Sequence, residues 1–199
     1  MGQTSFIHPA QGVLFAEGIS LEAIAKEFGT PTYVYSKNTL IQTFESFKKG
    51  LLKTDHLICF AVKANSNIAI LNLFASLGAG FDIVSGGELE RVIYAGGDPQ
   101  KIVFSGVGKT ESEIVVALKA NILCFNVESR SELIRIQEVA EKINIRASIS
   151  IRVNPDVDAK THPYISTGLK DNKFGVDFNQ ALSLYLDAKS MSYIDVKGI

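Results

Sequence analysis

Lys63 is the residue of this sequence whose type and position are best suited to chemistry. It directly follows "LICFAV", residues 57–62, an apolar run with the character of a buried strand. One interpretation is structural, because lysines at strand ends commonly pack their stems on apolar neighbours while the ammonium group reaches water. The other is chemical, because partial burial would disfavour the charged form and leave a free amine for reaction with a carbonyl group. The lysine alone leaves both interpretations open.

Two carboxyl groups accompany the next apolar run, residues 81–84. Asp82 and Glu88 would face the same end of a sheet as Lys63 if the two runs were neighbouring parallel strands. Glu88 has a structural interpretation of equal weight, because Ser85 and Glu88 have the spacing of a capping box at a helix N-terminus. The sequence therefore indicates a candidate site made of one amine with acids nearby.

Five short apolar runs would position these residues. Most are near-continuous in apolar character, which is typical of strands buried on both faces of a parallel sheet. Residues 131–143, between two runs, have helical periodicity, and the capping spacing recurs at Thr110 with Glu113 and at Ser129 with Glu132. The runs are residues 57–62, 81–84, 101–105, 122–127 and 147–153. This alternation predicts parallel strands and helices, a fold whose active sites lie at the carboxyl ends of the strands.

Three other segments depart from this pattern. Near the N-terminus, residues 12–18 and 31–36 are predicted strands around a helix, 20–29, that Gly29 should end. Residues 192–199 have the character of the start of a further buried strand, so we expect the chain to be a fragment of a longer protein. Residues 154–175 have neither period and form a long loop, of a length that is usually functional or disordered.

Composition narrows the class of protein. A formal net charge of −1 argues against a nucleic-acid partner, and no apolar run reaches the ~20 residues of a membrane span. The two cysteines, Cys59 and Cys124, lie far apart in apolar runs, which favours a reducing compartment. With no signal peptide apparent, a cytoplasmic location is expected. The three histidines lack metal-ligand spacing, so no metal site is expected.

Several motifs together resemble a known family. They are "FAVKAN", "GAGFDIVSGGELE", "SGVGKT" and "IRVNPDVDAKTHPYISTGLKDNKFG", and they occur in the family's order from about residue 6 onward. The chain resembles the N-terminal half of the diaminopimelate decarboxylases, which are pyridoxal-phosphate-dependent decarboxylases of the alanine-racemase fold type. "KAN" alone is shared by several relatives, whereas "TH-YI-TG" with "NKFG" is far more specific.

The resemblance implies a role for each candidate residue. Lys63 matches the lysine that forms the internal Schiff base with pyridoxal 5'-phosphate and is the expected catalytic residue. Asp82, Glu88 and Arg152 match residues around the cofactor. His162 and Tyr164, in the long loop, match the family's substrate-contacting loop.

The resemblance also implies an architecture and an activity. The fold would be α/β, an incomplete (β/α)8 barrel: residues 36–199 form the first half of the barrel and residues 1–35 belong to a β-rich domain of the full-length protein. The activity would be conversion of meso-2,6-diaminopimelate to L-lysine and CO2, in a homodimer or higher assembly, with the 199-residue piece itself inactive. Two alternatives stay open: a related decarboxylase of another basic amino acid, and a non-catalytic homologue that only binds pyridoxal phosphate.

Overall fold

The chain divides into two compact units, Met1–His56 and Leu57–Ile199. The computed structural model describes residues 6–10, 12–155, 157 and 174–199. The predicted loop residues His162 and Tyr164 therefore lie outside the described residues.

The first unit contains a small antiparallel sheet and two helices. Its elements are β1 (Ile7–Ala10), β2 (Val13–Ala16), β3 (Ile19–Ser20), α1 (Leu21–Phe28) and α2 (Lys37–Gly50). The strand order is β1-β2-β3. The Ser20 hydroxyl accepts a hydrogen bond from the Ala23 amide (3.1 Å) and starts α1, while Gly29 ends it with φ +79°, which glycine adopts without strain. The predicted helix and its stop are confirmed.

One strand prediction in this unit is wrong, and one strand near the N-terminus was not predicted. Residues 31–36 form neither helix nor strand, and Tyr33 is 91% exposed, so the aromatic residues that suggested a strand there do not pack in a sheet. Ile7–Ala10 is a strand that was not predicted. It contains Pro9, which lacks a backbone N–H and is therefore unusual in the interior of a sheet. Within the described residues β1 pairs only with β2, and an edge strand tolerates proline.

The second unit is built on a parallel sheet. The strands are β4 (Cys59–Ala61), β5 (Gly80–Ile83), β6 (Ile102–Phe104), β7 (Cys124–Val127), β8 (Ala147–Ile151), β9 (Val153–Asn154), β10 (Val176–Asp177) and β11 (Ile194–Gly198). Six of them form one sheet in the order β11-β8-β7-β6-β5-β4, with every neighbouring pair parallel, and β9 pairs separately with β10. Each of the five predicted runs overlaps a strand of this sheet.

Helices follow the strands in turn. They are α3 (Ile68–Ser76), α4 (Gly86–Tyr94), α5 (Glu111–Ala120), α6 (Arg130–Ile143) and α7 (Phe178–Ser190), with 3-10 turns at Val62–Ala64 and Pro99–Lys101. Contacts between α3 and α4, α4 and α5, and α5 and α6 place these helices in one layer. Among the described residues, no helix has the length and apolar character that a bilayer crossing requires.

The two faces of the sheet differ in chemistry. Phe81, Phe104 and Phe125 are at most 1% exposed, and the rings of the last two stack with centroids 5.9 Å apart. Residues that alternate with them, such as Asp82 and Asn126, are polar and only half-buried. The sheet therefore has one apolar face, covered by helices, and one polar face, and its strands follow one another in chain order without reversal. These features are those of a barrel, whereas a doubly wound sheet has helices on both faces and a reversal of strand order. The predicted incomplete (β/α)8 barrel is confirmed.

The helix starts follow the predicted capping spacings with one difference. At α5 the capping box is complete: Thr110 Oγ1 accepts the Glu113 amide (3.3 Å) and Glu113 Oε2 accepts the Thr110 amide (2.9 Å). At α4 and α6 the serine hydroxyl caps as predicted. There, however, the glutamate carboxylate reaches one residue further back, to the amide of the first residue after the preceding strand (2.7 and 2.8 Å). These glutamates join each strand to the helix that follows it.

Candidate functional site

A cavity of about 840 Å³ lies at the carboxyl ends of the parallel strands. Its lining includes Lys63 after β4, Asp82 near the end of β5 and Arg152 after β8. The sheet thus brings together three residues that are up to 89 positions apart in the sequence (152 − 63). Ligand sites of α/β proteins occur at this end of the strands, because the loops that differ in chemistry meet there.

Lys63 occupies the 3-10 turn that follows β4. Its neighbour Val62 is completely buried and fixes the turn to the core, whereas the Lys63 side chain is exposed at the cavity wall. The partial burial that would disfavour the charged form is therefore not seen at Lys63 in the described structure. Within the described part of the chain, the Lys63 ammonium group has no hydrogen-bond or ion-pair partner. The amine can therefore reach a molecule in the cavity.

A chain of hydrogen bonds across three strands holds Asp82. The Ser105 hydroxyl donates to Asp82 Oδ1 (2.6 Å), and Asn126 Nδ2 donates to the Ser105 oxygen (2.9 Å). The three side chains lie near the carboxyl ends of β5, β6 and β7, which are neighbouring parallel strands. The Asp82 carboxylate is thus oriented before any ligand binds.

Arg152 is held by a buried carboxylate. Its Nη1 atom lies 3.1 Å from Glu128 Oε1, and the Glu128 side chain is 2% exposed. The guanidinium also lies over the Phe174 ring, 5.2 Å from its centroid. The Arg152 side chain itself is 38% exposed, so its charge remains available to a molecule in the cavity.

Glu88 is separated from these residues. It is absent from the described cavity lining, and its carboxylate accepts a hydrogen bond from the Val84 amide (2.7 Å). The Ser85 hydroxyl in turn accepts the Glu88 amide (3.3 Å). Both bonds belong to the junction of β5 with α4, so the geometry favours the structural interpretation of this residue.

Cys59, on the polar face of β4, has a thiol that stays protonated at neutral pH. Burial, together with the negative charge of Asp82 and the proximity of Cys124, raises the pKa of the Cys59 thiol to about 11. Burial also raises the pKa of Cys124. Both cysteines are free. A protonated thiol is a poor nucleophile, so neither cysteine competes with the Lys63 amine in this role.

Sequence reasoning missed Ser105, Asn126 and Glu128. Each lies within or directly after a strand, and each faces the cavity or touches a residue that does. The available signal was a polar residue within or directly after an apolar run, the pattern that indicated Lys63 and Asp82. Glu128 was hidden by its neighbour Ser129, whose capping role drew attention to the helix.

Comparison with known proteins assigns the family. The family described as pyridoxal-dependent decarboxylase, pyridoxal binding domain, matches residues 37–199. The chain belongs to this family. All the residues described above at the cavity lie within the matched range.

Curated relatives within this family are similar along nearly the whole chain. The diaminopimelate decarboxylase of Vibrio cholerae serotype O1 is 57% identical over 194 residues, which is 98% of this chain and 46% of the relative. That of Aquifex aeolicus is 50% identical over 98% of this chain and 46% of its own length. The chain therefore spans about half the length of the curated relatives it matches.

Solved structures agree with the fold. Diaminopimelate decarboxylase from M. jannaschii in co-complex with L-lysine superposes with a TM-score of 0.88 at 42% identity, covering 96% of this chain and 46% of that structure. The Helicobacter pylori enzyme complexed with L-lysine gives 0.85 at 49% identity, covering 89% and 46%. Lysine decarboxylase from Selenomonas ruminantium, at 24% identity and a TM-score of 0.71, shares the fold alone.

Proposed function

We propose that this chain binds pyridoxal 5'-phosphate and that Lys63 is the residue to which the cofactor is attached. The observation that carries the proposal is the exposed Lys63 amine at the wall of a cavity that also contains Asp82 and Arg152. The cavity volume, about 840 Å³, lies within the usual range for small-molecule sites. A primary amine, an oriented carboxylate and an accessible guanidinium suit an aldehyde cofactor that carries anionic oxygens.

Each of the three cavity residues has a separate proposed role in binding or reaction. When bound, pyridoxal phosphate supplies the electron sink that stabilises the carbanion left by departing CO2. Lys63 supplies the amine that holds the cofactor covalently and, once released by a substrate amine, can carry protons. Asp82, oriented by Ser105, presents a negative charge to the cationic part of the bound molecule. Arg152 presents a positive charge to its anionic oxygens.

The reaction proposed for the full-length protein is decarboxylation of meso-2,6-diaminopimelate to L-lysine and CO2. It is supported by relatives of that name at 50 to 57% identity and by two solved relatives that hold L-lysine. Decarboxylation of another basic amino acid is not favoured, because the lysine decarboxylase resembles this chain in fold alone. His162 and Tyr164 stay proposals for substrate contact.

Domain organisation, assembly and location complete the proposal. Residues 1–35 are assigned to a β-rich domain and residues 36–199 to the barrel, which is supported by a family match that begins at residue 37. Self-association of residues 1–199 alone, as a homodimer or higher assembly, is supported by the outer strands β4 and β11, which pair on one side only within the described sheet, because exposed edges favour association. A cytoplasmic location is supported by the two free cysteines.

The test is covalent trapping in the full-length protein. Borohydride reduction with pyridoxal phosphate should fix the cofactor to the peptide containing Lys63, and Lys63→Ala should lose both the label and CO2 release from meso-diaminopimelate. Lys63→Arg should fail equally, because a guanidinium stays protonated and cannot bond to the aldehyde carbon. Lys119→Ala is the matched control, since Lys119 is exposed on α5. Label on another lysine, or turnover by Lys63→Ala, would contradict the assignment.

A further inference from the structure

Glu128 joins three separate segments at the carboxyl end of the sheet. Its Oε1 atom accepts hydrogen bonds from the Gly106 amide (3.0 Å) and from Arg152 Nη1 (3.1 Å). Its Oε2 atom accepts the Gly175 amide (3.2 Å). One carboxylate thus connects the loop after β6, the residue after β8 and the residue before β10.

The burial of Glu128 makes these bonds costly to lose. With 2% of its side chain exposed, the carboxylate is almost completely removed from water, and a buried charge is stable only when it is paired and hydrogen-bonded. Two of its donors are uncharged backbone amides. Arg152 is the cationic partner, so charge pairing draws the guanidinium toward Glu128.

Two further contacts restrict Arg152 from the β10 side. The Phe174 ring lies against the guanidinium, with its centroid 5.2 Å away. Gly175 packs so closely that an added Cβ atom would lie 3.0 Å from the Arg152 carbonyl oxygen and 3.3 Å from Arg152 Cγ. Its φ of +81° also favours glycine. The Arg152 side chain is therefore held at its backbone, its stem and its charged end.

We propose that Glu128 is a positioning residue, which acts through Arg152 to fix the guanidinium where the cavity binds an anionic group of the cofactor. This inference rests on the proposed function, because it takes pyridoxal phosphate as the occupant. Glu128 itself is absent from the described cavity lining, whereas Arg152 and Gly106, which both donate to it, belong to that lining. A double-mutant cycle with Arg152 therefore separates an effect through the arginine from an effect through the Gly106 loop. Arg152 without Glu128 keeps its charge but has lost the partner that fixes its direction.

The expected effect is a loss of cofactor affinity that depends on Arg152. Glu128→Gln keeps the size of the side chain and removes its charge, and it should weaken pyridoxal phosphate binding on the order of tenfold, the loss expected of a hydrogen bond to a charged group. In an Arg152→Met background the same Glu128→Gln change should alter the dissociation constant by less than roughly twofold. The reason is that Glu128 acts on cofactor binding through the Arg152 guanidinium, which that background lacks. Glu138→Gln, exposed on α6, should leave it unchanged.

The experiment is a titration of full-length apoprotein with pyridoxal phosphate, followed by cofactor absorbance and by protein fluorescence, on this double-mutant cycle. Phe174→Leu provides a second route if Glu128→Gln does not fold. It should weaken binding several-fold in the wild-type background and leave the Arg152→Met background unchanged. Additive losses in both backgrounds would mean that Glu128 and Phe174 act independently of Arg152, which overturns the inference and leaves the proposed function intact. Wild-type protein that does not bind the cofactor would overturn both.

Discussion

At the scale of single residues, Ser105 decides how Asp82 is presented to the cavity. Its hydroxyl is the donor to Asp82 Oδ1, at 2.6 Å. Ser105→Ala should free the carboxylate to rotate and should weaken pyridoxal phosphate binding by about 1 kcal/mol, roughly fivefold. The measurement is the dissociation constant of the full-length apoprotein. Ser183→Ala, on the exposed face of α7, is the control. Equal affinities of the two variants would show that Asp82 needs no orientation.

Because the Cys59 thiol has a raised pKa, we expect the free energy of unfolding to depend on pH in the alkaline range. Its pKa is about 11 in the folded protein, against 9.0 for an ordinary cysteine thiol. Between these values the unfolded state loses the thiol proton while the folded state retains it, so the free energy of unfolding should fall as pH rises from 9 to 11. Denaturant unfolding of the full-length protein across this range measures the slope.

Cys59→Ala should make that slope shallower without abolishing it. Cys124 and Tyr185 also have raised pKa values, both through burial, and they contribute in the same direction. Cys59→Ala with a slope as steep as that of the wild type would show that the thiol does not titrate in the folded state as described.

Part of the site was accessible from sequence because its residues stand at the ends of recognisable strands. Lys63 directly follows one apolar run, whereas Asp82 and Arg152 lie within two others, near the carboxyl ends of β5 and β8. Parallel pairing brings these strand ends together. Glu88 was ambiguous because an acid three residues after a serine suits both a cap and a site, and the contacts decided it. Glu128 was inaccessible because its three donors are 22 to 47 residues away, a distance over which no local pattern extends.

At the scale of elements, a buried ion pair secures the junction of α5 and α6 with the sheet. Lys109 Nζ lies 2.7 Å from Glu132 Oε1, and its side chain is completely buried. The same ammonium donates to the carbonyl oxygens of Gly106 (2.7 Å) and Asn126 (3.0 Å). Three acceptors around one buried cation make this lysine structural, in contrast to Lys63.

Lys109→Met should destabilise the full-length protein by about 3–5 kcal/mol, because it leaves the Glu132 carboxylate buried without its partner. Chemical denaturation measures the free energy of unfolding. Lys119→Met, at an exposed position of α5, is the matched control. The double variant Lys109→Met/Glu132→Gln should lose less than the sum of the single losses. Strict additivity would contradict the description of the pair as a unit.

Element positions were predictable where apolar periodicity governs burial. The sheet strands and α6 follow it, since Leu133, Ile136 and Val139 are buried on one face of that helix. Prediction failed at the edges of the first unit, where β-rich composition at residues 31–36 had no partner strand. β1 was not predicted for a related reason: whether a segment containing Pro9 forms a strand depends on the strand that pairs with it in space, here β2, which the local sequence does not reveal.

At the scale of the whole molecule, residues 1–199 expressed alone should not form lysine from meso-diaminopimelate. The chain spans 46% of the length of its Vibrio cholerae relative, so the groups that the rest of such a protein contributes would be absent. Positioning of reactants can supply about 7–11 kcal/mol of barrier lowering, and it fails when part of a site is missing. Lysine formation is measured with added pyridoxal phosphate and with the full-length enzyme as control. Turnover close to that of the control would overturn this prediction.

The strand order also has a consequence for biosynthesis on the ribosome. From β5 to β8, every strand pairs with the strand made just before it. Each newly translated segment therefore meets a partner that has already emerged, and little loop entropy is lost in joining them. In the part of the sheet that the structure describes, β11 is the exception: it pairs with β8 and must wait until β9, β10 and α7 have been translated. The sheet can thus grow in the direction of translation, with its helices added one at a time.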